Sequence, residues 1–447
     1  MNELALQDSP VERLSVAAVA RGAKAASRLL ASVPGARRDA ALRAAADAIE
    51  RRGLEILAAN RRDCDEATRA VKEGRLSRSL FERLQIDQPA IAQMAAGVRE
   101  VAALPDPLGR SLAITELDKG LTLYKESCPI GVIGIVFEAR PEIVPQIAAL
   151  ALKSGNAVIL KGGSEAQHSN QAMVQIWIDV FTSFPDIPAE AISLLYTRAD
   201  VDEMLSRDDE IDLIIPRGSR EFVRYVAGRS HISVLGNGEG TCHVYIDRMA
   251  DLEMALNIAY DSKVQYPAAC NAMETLLVHD EIAVVFLPEI ISCFQAAGVE
   301  VRGCRRTFEL AETLGIMPAM ADDWGKEYSD LIVSIKIVDS ADEAIEHINR
   351  YGSGHTESIV TEDTSAAAHF MERVDAAGVY HNASTRFADG FRYGFGAELG
   401  ISTSKLHARG PVGLEGLTTY KYKLIGDGQT VASYAAGERT FNHRRIK

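Results

Sequence analysis

Cys270 stands in the segment 265–272 (QYPAACNA), in a loop just before an apolar run that reads as a strand. A thiolate attacks carbonyl carbon well at neutral pH, so a cysteine in a loop at a crossover is a candidate nucleophile. The alternative is a small buried hydrophobe, the commoner state of a free cysteine. Lys161 ends the strand-like run of segment 155–165 and opens into Gly162-Gly163-Ser164. A lysine at a strand end can hold a ribose or a phosphate, and glycines let an anion approach the backbone. A plain turn with a solvated lysine fits the same residues. The dinucleotide fingerprint GxGxxG is absent from this stretch. Gly218-Ser219 repeats the arrangement, a strand end running into a helix whose N-terminus can bind an anion or simply be well capped.

Three further segments carry reactive side chains. Residues 234–243 crowd three glycines with Glu239, Cys242 and His243. A Cys-His dipeptide is poor metal-ligand spacing, so a glycine-rich active-site wall is the better reading. His355 lies among small residues at a strand start, where a hydrogen-bonded structural turn is favoured over a cleft-facing base. The loops containing Asn382, Ser384, Thr385 and Arg386, then Glu398, then His407 and Arg409, suit carboxylate or phosphate oxygens, or ordinary loop capping.

The elements that must position these residues follow from periodicity. Residues 9–12 have capping-box spacing with a proline at the first helical position. Helical patterns follow to residue 30, over 39–52 and around 65–72. Residues 111–127 read as two strands about the Asp118-Lys119-Gly120 turn. From residue 130 short apolar strands (132–137, 157–161, 192–196, 211–215) alternate with helices, the pattern of a doubly wound parallel sheet. A second alternating block starts near 251, with strands at 274–278, 331–338, 358–361 and 378–382. Segment 416–425 reads as an edge strand.

The chain has 447 residues, 47% hydrophobic and 25% charged, enough apolar sequence for two or three globular domains. Its net charge of −14 argues against broad nucleic-acid binding. No run of about 18 apolar residues predicts a membrane span, and the first twenty residues do not read as a secretory signal. Six scattered cysteines without CxxC spacing fit a reducing cytoplasm rather than a disulfide framework.

Four long segments, 131–141 (GVIGIVFEARP), 153–166 (KSGNAVILKGGSEA), 347–359 (HINRYGSGHTESI) and 407–417 (HARGPVGLEGL), occur in an order that resembles the aldehyde dehydrogenase superfamily, in its branch that reduces an acyl phosphate. The likeness runs from about residue 10 to the C-terminus. It implies an α/β fold of two doubly wound domains plus a β oligomerisation arm: an NADPH-binding domain at 1–110 and 129–250, a catalytic domain at 251–412, and an arm at 111–128 and 413–447. It implies that Cys270 is the nucleophile. It assigns Lys161 to the adenosine ribose, Gly163 and Ser164 to cofactor binding, Gly218 and Ser219 to the cofactor phosphates, and Glu327 to the nicotinamide ribose.

The implied reaction is NADPH-dependent reduction of L-glutamyl 5-phosphate to L-glutamate 5-semialdehyde through a cysteine thioester, in proline biosynthesis. Arg140, Ser384, Thr385 and Arg386 are candidates for the substrate's α-carboxylate or phosphate. The backbone N–H groups of Cys270 and Asn271 are candidates for its oxyanion. Hydrolytic members of the superfamily carry a water-activating glutamate where this chain has Val234, which fits a reductase. The superfamily's side-chain amide for the oxyanion is missing from the stretch around Glu138. Ser164, where NAD-preferring relatives place an acid, leaves room for a 2′-phosphate and favours NADPH. No metal is required. A homo-oligomer is expected, and glutamate kinase is a candidate partner because glutamyl phosphate is labile.

Overall fold

The computed structural model describes residues 14–218, 220–236 and 239–447. The capping pattern expected at residues 9–12, and Ser219, lie outside them. By internal contacts the described chain divides into two units. One runs to Ile215 and adds Gly228–Val234 and Thr418–Lys447; the other comprises Pro216–Ala227 and Leu235–Leu417.

The first unit begins with five helices, Val16–Leu30, Gly35–Arg51, Gly53–Lys72, Arg78–Leu84 and Gln88–Ala103. Ser15 caps the first by accepting the Ala18 N–H, and Asp87 caps the fifth at Ala90. Strands β1 (Ser111–Asp118) and β2 (Leu121–Pro129) form the expected hairpin. A parallel sheet follows from β3 (Val132–Phe137), β4 (Ala157–Lys161), β5 (Ile192–Leu194) and β6 (Leu213–Arg217), in the order β5-β4-β3-β6. All six residues of β3 are buried, which is why it reads as a continuous apolar run rather than an alternating one. The helices Val144–Lys153 and Gln167–Phe181 cover the sheet, and every residue of the first but Gln146 is buried.

The second unit is built on a seven-stranded sheet. Its strands are β7 (Cys242–Ile246), β8 (Met273–His279), β9 (Glu300–Gly303), β10 (Met317–Pro318), β11 (Ile332–Val338), β12 (Thr356–Val360) and β13 (Gly378–His381). They lie in the order β10-β9-β11-β8-β7-β12-β13, and every pairing is parallel. The helix Asp280–Ala296 packs Phe286, Leu287, Ile290, Ile291 and Phe294 into one core with β8, β9 and β11. Sequence periodicity missed this helix and β7. Pro288 interrupts the helical pattern, and β7 is masked by the polar, glycine-rich stretch before it.

β7 sits in the middle of the seven-stranded sheet, between β8 and β12, so the chain from Leu235 belongs to the second unit. A two-stranded pair, β14 (Ile401–Ser402) and β15 (Gly410–Pro411), follows. The chain then returns to the first unit. β16 (Thr418–Ile425) pairs antiparallel with β2, and β17 (Arg444–Arg445) with β1, completing a four-stranded sheet of order β16-β2-β1-β17. Among the described residues no helix is long and apolar enough to cross a membrane.

Candidate active site

The loop carrying Cys270 joins the helix Leu252–Val264 to β8. Its two ends are tied together by a fully buried ion pair, Lys263 Nζ to Glu274 Oε2 at 2.7 Å. The segment before β7 backs onto the loop: a Cβ on Gly240 would overlap the Cys270 carbonyl oxygen, so only glycine fits there. The buried Cys242 Sγ lies 3.4 Å from that same carbonyl. Gly240 and Cys242 therefore lie directly behind the Cys270 backbone.

Cys270 is open to solvent at its surface but closely enclosed by protein. Burial pushes its thiol up to about 11, helped by the Glu327 and Glu398 carboxylates and opposed by Arg217 and Arg386. At neutral pH it is a thiol and needs a base. Such a group is present: His355 Nε2 stands 3.3 Å from Cys270 Sγ. The imidazole is 1% exposed, and burial holds it down at about 4, so it is neutral and can accept a proton. Its Nδ1 contacts Thr356 Oγ1 at 2.8 Å, and Cys242 Sγ lies 3.7 Å away. Sequence favours a structural turn with a hydrogen-bonded histidine here. The residue is buried and hydrogen-bonded, and its partner is the thiol. Flanking small residues gave no signal of this, because the pairing joins positions 85 apart.

His243, whose role sequence left open, forms a second buried pair. Its Nδ1 lies 2.9 Å from Glu357 Oε2, which also accepts the His243 backbone N–H at 2.7 Å. His243 and Glu357 face each other across β7 and β12, one residue after Cys242 and two after His355.

The predicted substrate residues separate on inspection. The Ser384 hydroxyl is 3.1 Å from that of Ser262 and accepts the Arg386 N–H, and Thr385 is fully buried. Ser384 through its hydroxyl and Thr385 through its backbone N–H both meet Ser262 on the helix before Cys270. Asn271 likewise braces the loop, donating its side-chain amide to the Ala388 carbonyl at 2.8 Å. Arg386 differs. It is 7% exposed, its Nε donates to Gln265 Oε1, and its guanidinium acts electrostatically on Cys270. The Asp261 and Asp389 carboxylates act on it in turn. Glu327 accepts the Gly240 N–H, and burial raises its carboxyl above the usual range.

In the first unit, Lys161 ends β4 and is half-buried. Burial lowers its ammonium, Glu165, Asp200 and Glu138 oppose that shift, and Arg198 adds to it. A cleft lined by Gly162, Gly163, Ser164, Asn170 and Tyr196 opens at the carboxyl ends of β4 and β5. Side chains at Gly162 or Gly163 would strike Asn170 and Glu165, so the backbone there stays bare. The residues fit a nucleotide: bare backbone and a lysine at parallel strand ends suit a ribose and its phosphates. The Glu165 carboxylate accepts the Ala139 N–H at 2.7 Å, and Ala139 has the positive φ of 32°. Arg140 is exposed beside this turn, and Gly218 follows the end of β6. Val234 bridges Ile214 through its backbone.

The two parallel sheets, with a thiol at the end of the larger one, define the class. The chain belongs to the aldehyde dehydrogenase family, whose profile it matches over residues 9–302 and 330–422. It is an oxidoreductase of that family, and its near relatives are particular. It is 51% identical to the gamma-glutamyl phosphate reductase of Methanococcoides burtonii, covering 95% of each chain. It is 54% identical to the enzyme of that name from a Synechococcus species, covering 94% of this chain and 92% of the relative. The crystal structure of gamma-glutamyl phosphate reductase from Thermotoga maritima, 40% identical, superposes with a TM-score of 0.90 over 93% of this chain and all of that one.

Proposed function

We propose that this chain reduces L-glutamyl 5-phosphate to L-glutamate 5-semialdehyde, a step of proline biosynthesis, with NADPH as reductant. The observation that carries the reading is the 3.3 Å contact between Cys270 Sγ and His355 Nε2. The names of the relatives supply the substrate. His355 takes the thiol proton as the sulfur attacks the acyl carbon. The S–C bond forms, the C–O bond to phosphate breaks, and phosphate leaves with the electron pair. The backbone N–H groups of Cys270 and Asn271 hold the oxyanion. Arg386 holds a substrate anion. The nicotinamide, when bound, supplies the hydride that reduces the thioester carbonyl. Collapse of the thiohemiacetal expels the Cys270 thiolate, which recovers its proton from His355. Val234, in place of a water-activating carboxylate, leaves the thioester to this path rather than to hydrolysis.

Lys161 and Arg198 favour a cofactor 2′-phosphate, while the Glu165 carboxyl is engaged by the Ala139 N–H. Gly163, Ser164 and Gly218 line the cofactor's path, and Glu327 holds its nicotinamide ribose. The six free cysteines suit a reducing cytoplasm. The four-stranded sheet of β16, β2, β1 and β17 serves as the arm of a homo-oligomer.

The test runs the reaction backwards, because the acyl phosphate is unstable. Purified protein is mixed with glutamate 5-semialdehyde and NADP or NAD, with and without phosphate. Reduced cofactor appearing with NADP and only with phosphate supports the reading. Equal rates without phosphate would mean water resolves the thioester, and the reductase assignment falls.

A further inference from the structure

His355 poses a problem that the reaction alone does not solve. It is almost wholly buried, and the environment that makes it neutral also makes its imidazolium costly. A proton taken from Cys270 cannot rest there. Behind the imidazole, a line of hydroxyl groups leads away from the thiol. Nδ1 meets Thr356 Oγ1 at 2.8 Å. The Tyr380 hydroxyl lies over Gly378, the residue paired with Thr356 across β12 and β13, and the Thr356 side chain acts on the phenol. The Tyr380 hydroxyl bonds that of Tyr393. Thr356 is 1% exposed, whereas Tyr393 is only partly buried and reaches solvent.

The sheet builds this line. Thr356 faces Gly378 across β12 and β13, and Tyr380 follows Gly378 by two residues on the same face. A Cβ on Gly378 would lie 3.2 Å from the Tyr380 Oη, so the phenol folds back over the glycine toward Thr356. Burial raises both phenols above their ordinary value, which keeps them as neutral O–H groups that accept and donate together.

We propose that Thr356, Tyr380 and Tyr393 form a proton relay that carries the Cys270 proton from His355 to solvent and returns one when the thiolate is released. The S–H bond breaks and the proton joins His355 Nε2. The Nδ1 proton passes to Thr356 Oγ1, the proton of Thr356 to Tyr380, that of Tyr380 to Tyr393, and that of Tyr393 to water. Cys270 has lost one proton, solvent has gained one, and the imidazole is again neutral. When the thiohemiacetal collapses, the thiolate takes the Nε2 proton and the line runs in reverse. The relay rests on the assignment of Cys270 and His355 under the proposed function. Thr356, Tyr380 and Tyr393 are positioning residues, since they act through His355.

The experiment uses the reverse assay with full-length protein and the variants Tyr380→Phe, Thr356→Val and Thr356→Ser. Tyr380→Phe keeps the ring, and Thr356→Ser keeps the hydroxyl. The expected result is a kcat at least about tenfold lower for Tyr380→Phe and Thr356→Val, with KM for semialdehyde and NADP unchanged. Thr356→Ser recovers most of the loss. In mixed light and heavy water, the rate of the original protein curves with deuterium fraction, as several moving protons require, and that of Tyr380→Phe becomes linear. Full kcat in Tyr380→Phe, or a Thr356→Ser protein as slow as Thr356→Val, overturns the relay alone. Unmutated protein that forms no NADPH with phosphate overturns the functional reading, and the relay with it.

Discussion

At the scale of residues, the site pairs a reluctant thiol with a reluctant base. Burial raises Cys270 to about 11 and lowers His355 to about 4, so between these values both partners are neutral. The sign follows directly. Thiolate accumulates only as pH rises toward 11, and the imidazole carries no charge that could hold it lower. Iodoacetamide labelling of Cys270 is therefore expected to rise about tenfold per pH unit between 7 and 10. A rate already flat at pH 7 would show a preformed thiolate and contradict this account. His355→Gln should lower kcat in the reverse assay by about 10²- to 10⁴-fold, the range for losing a general base, with little change in melting. Arg386 complements the pair, as a buried cation whose field acts on the thiol.

At the scale of elements, the nucleophile's loop is held at its base rather than along its length. Lys263 ends the helix before it, Glu274 begins β8 after it, and both side chains are 0% exposed. Removing one partner leaves an uncompensated buried charge. Lys263→Met should cost about 3–5 kcal/mol of stability. Replacing both with methionine should recover most of that loss, since two matched apolar side chains strand no charge. Urea unfolding of the single and double variants measures the cycle, and strictly additive losses would refute the clamp. The same logic gives β7 and β12 their register: the buried His243–Glu357 pair joins them beside Cys242 and His355.

At the scale of the whole molecule, the first unit's antiparallel sheet ends in an exposed edge. β16 is an edge strand of eight residues, and its Tyr420, Tyr422, Leu424 and Ile425 are exposed. A long edge with aromatic and branched side chains is a template for pairing with another strand. A second copy of the chain, bringing the same sheet, is the proposed occupant. Replacing Tyr422 and Leu424 with lysine should shift the protein to a smaller species in sedimentation. An unchanged mass would place the interface elsewhere.

Much of the frame is legible along the chain. β3 and β4 are legible because parallel strands buried on both faces are continuous apolar runs, and their predicted bounds, 132–137 and 157–161, match. The Asp118-Lys119-Gly120 turn and Cys270 as a reactive candidate were legible for similarly local reasons: turn chemistry and residue type. The helix Asp280–Ala296 was hidden by Pro288, and β7 by its polar neighbours. Three contacts needed the folded chain: His355 against Cys270, Ser384 against Ser262, and Lys263 against Glu274 across the loop. Each of these depends on which strand lies beside which. Sheet order sets those neighbours through pairings between distant segments, and periodicity along the chain reports only which face of an element is buried.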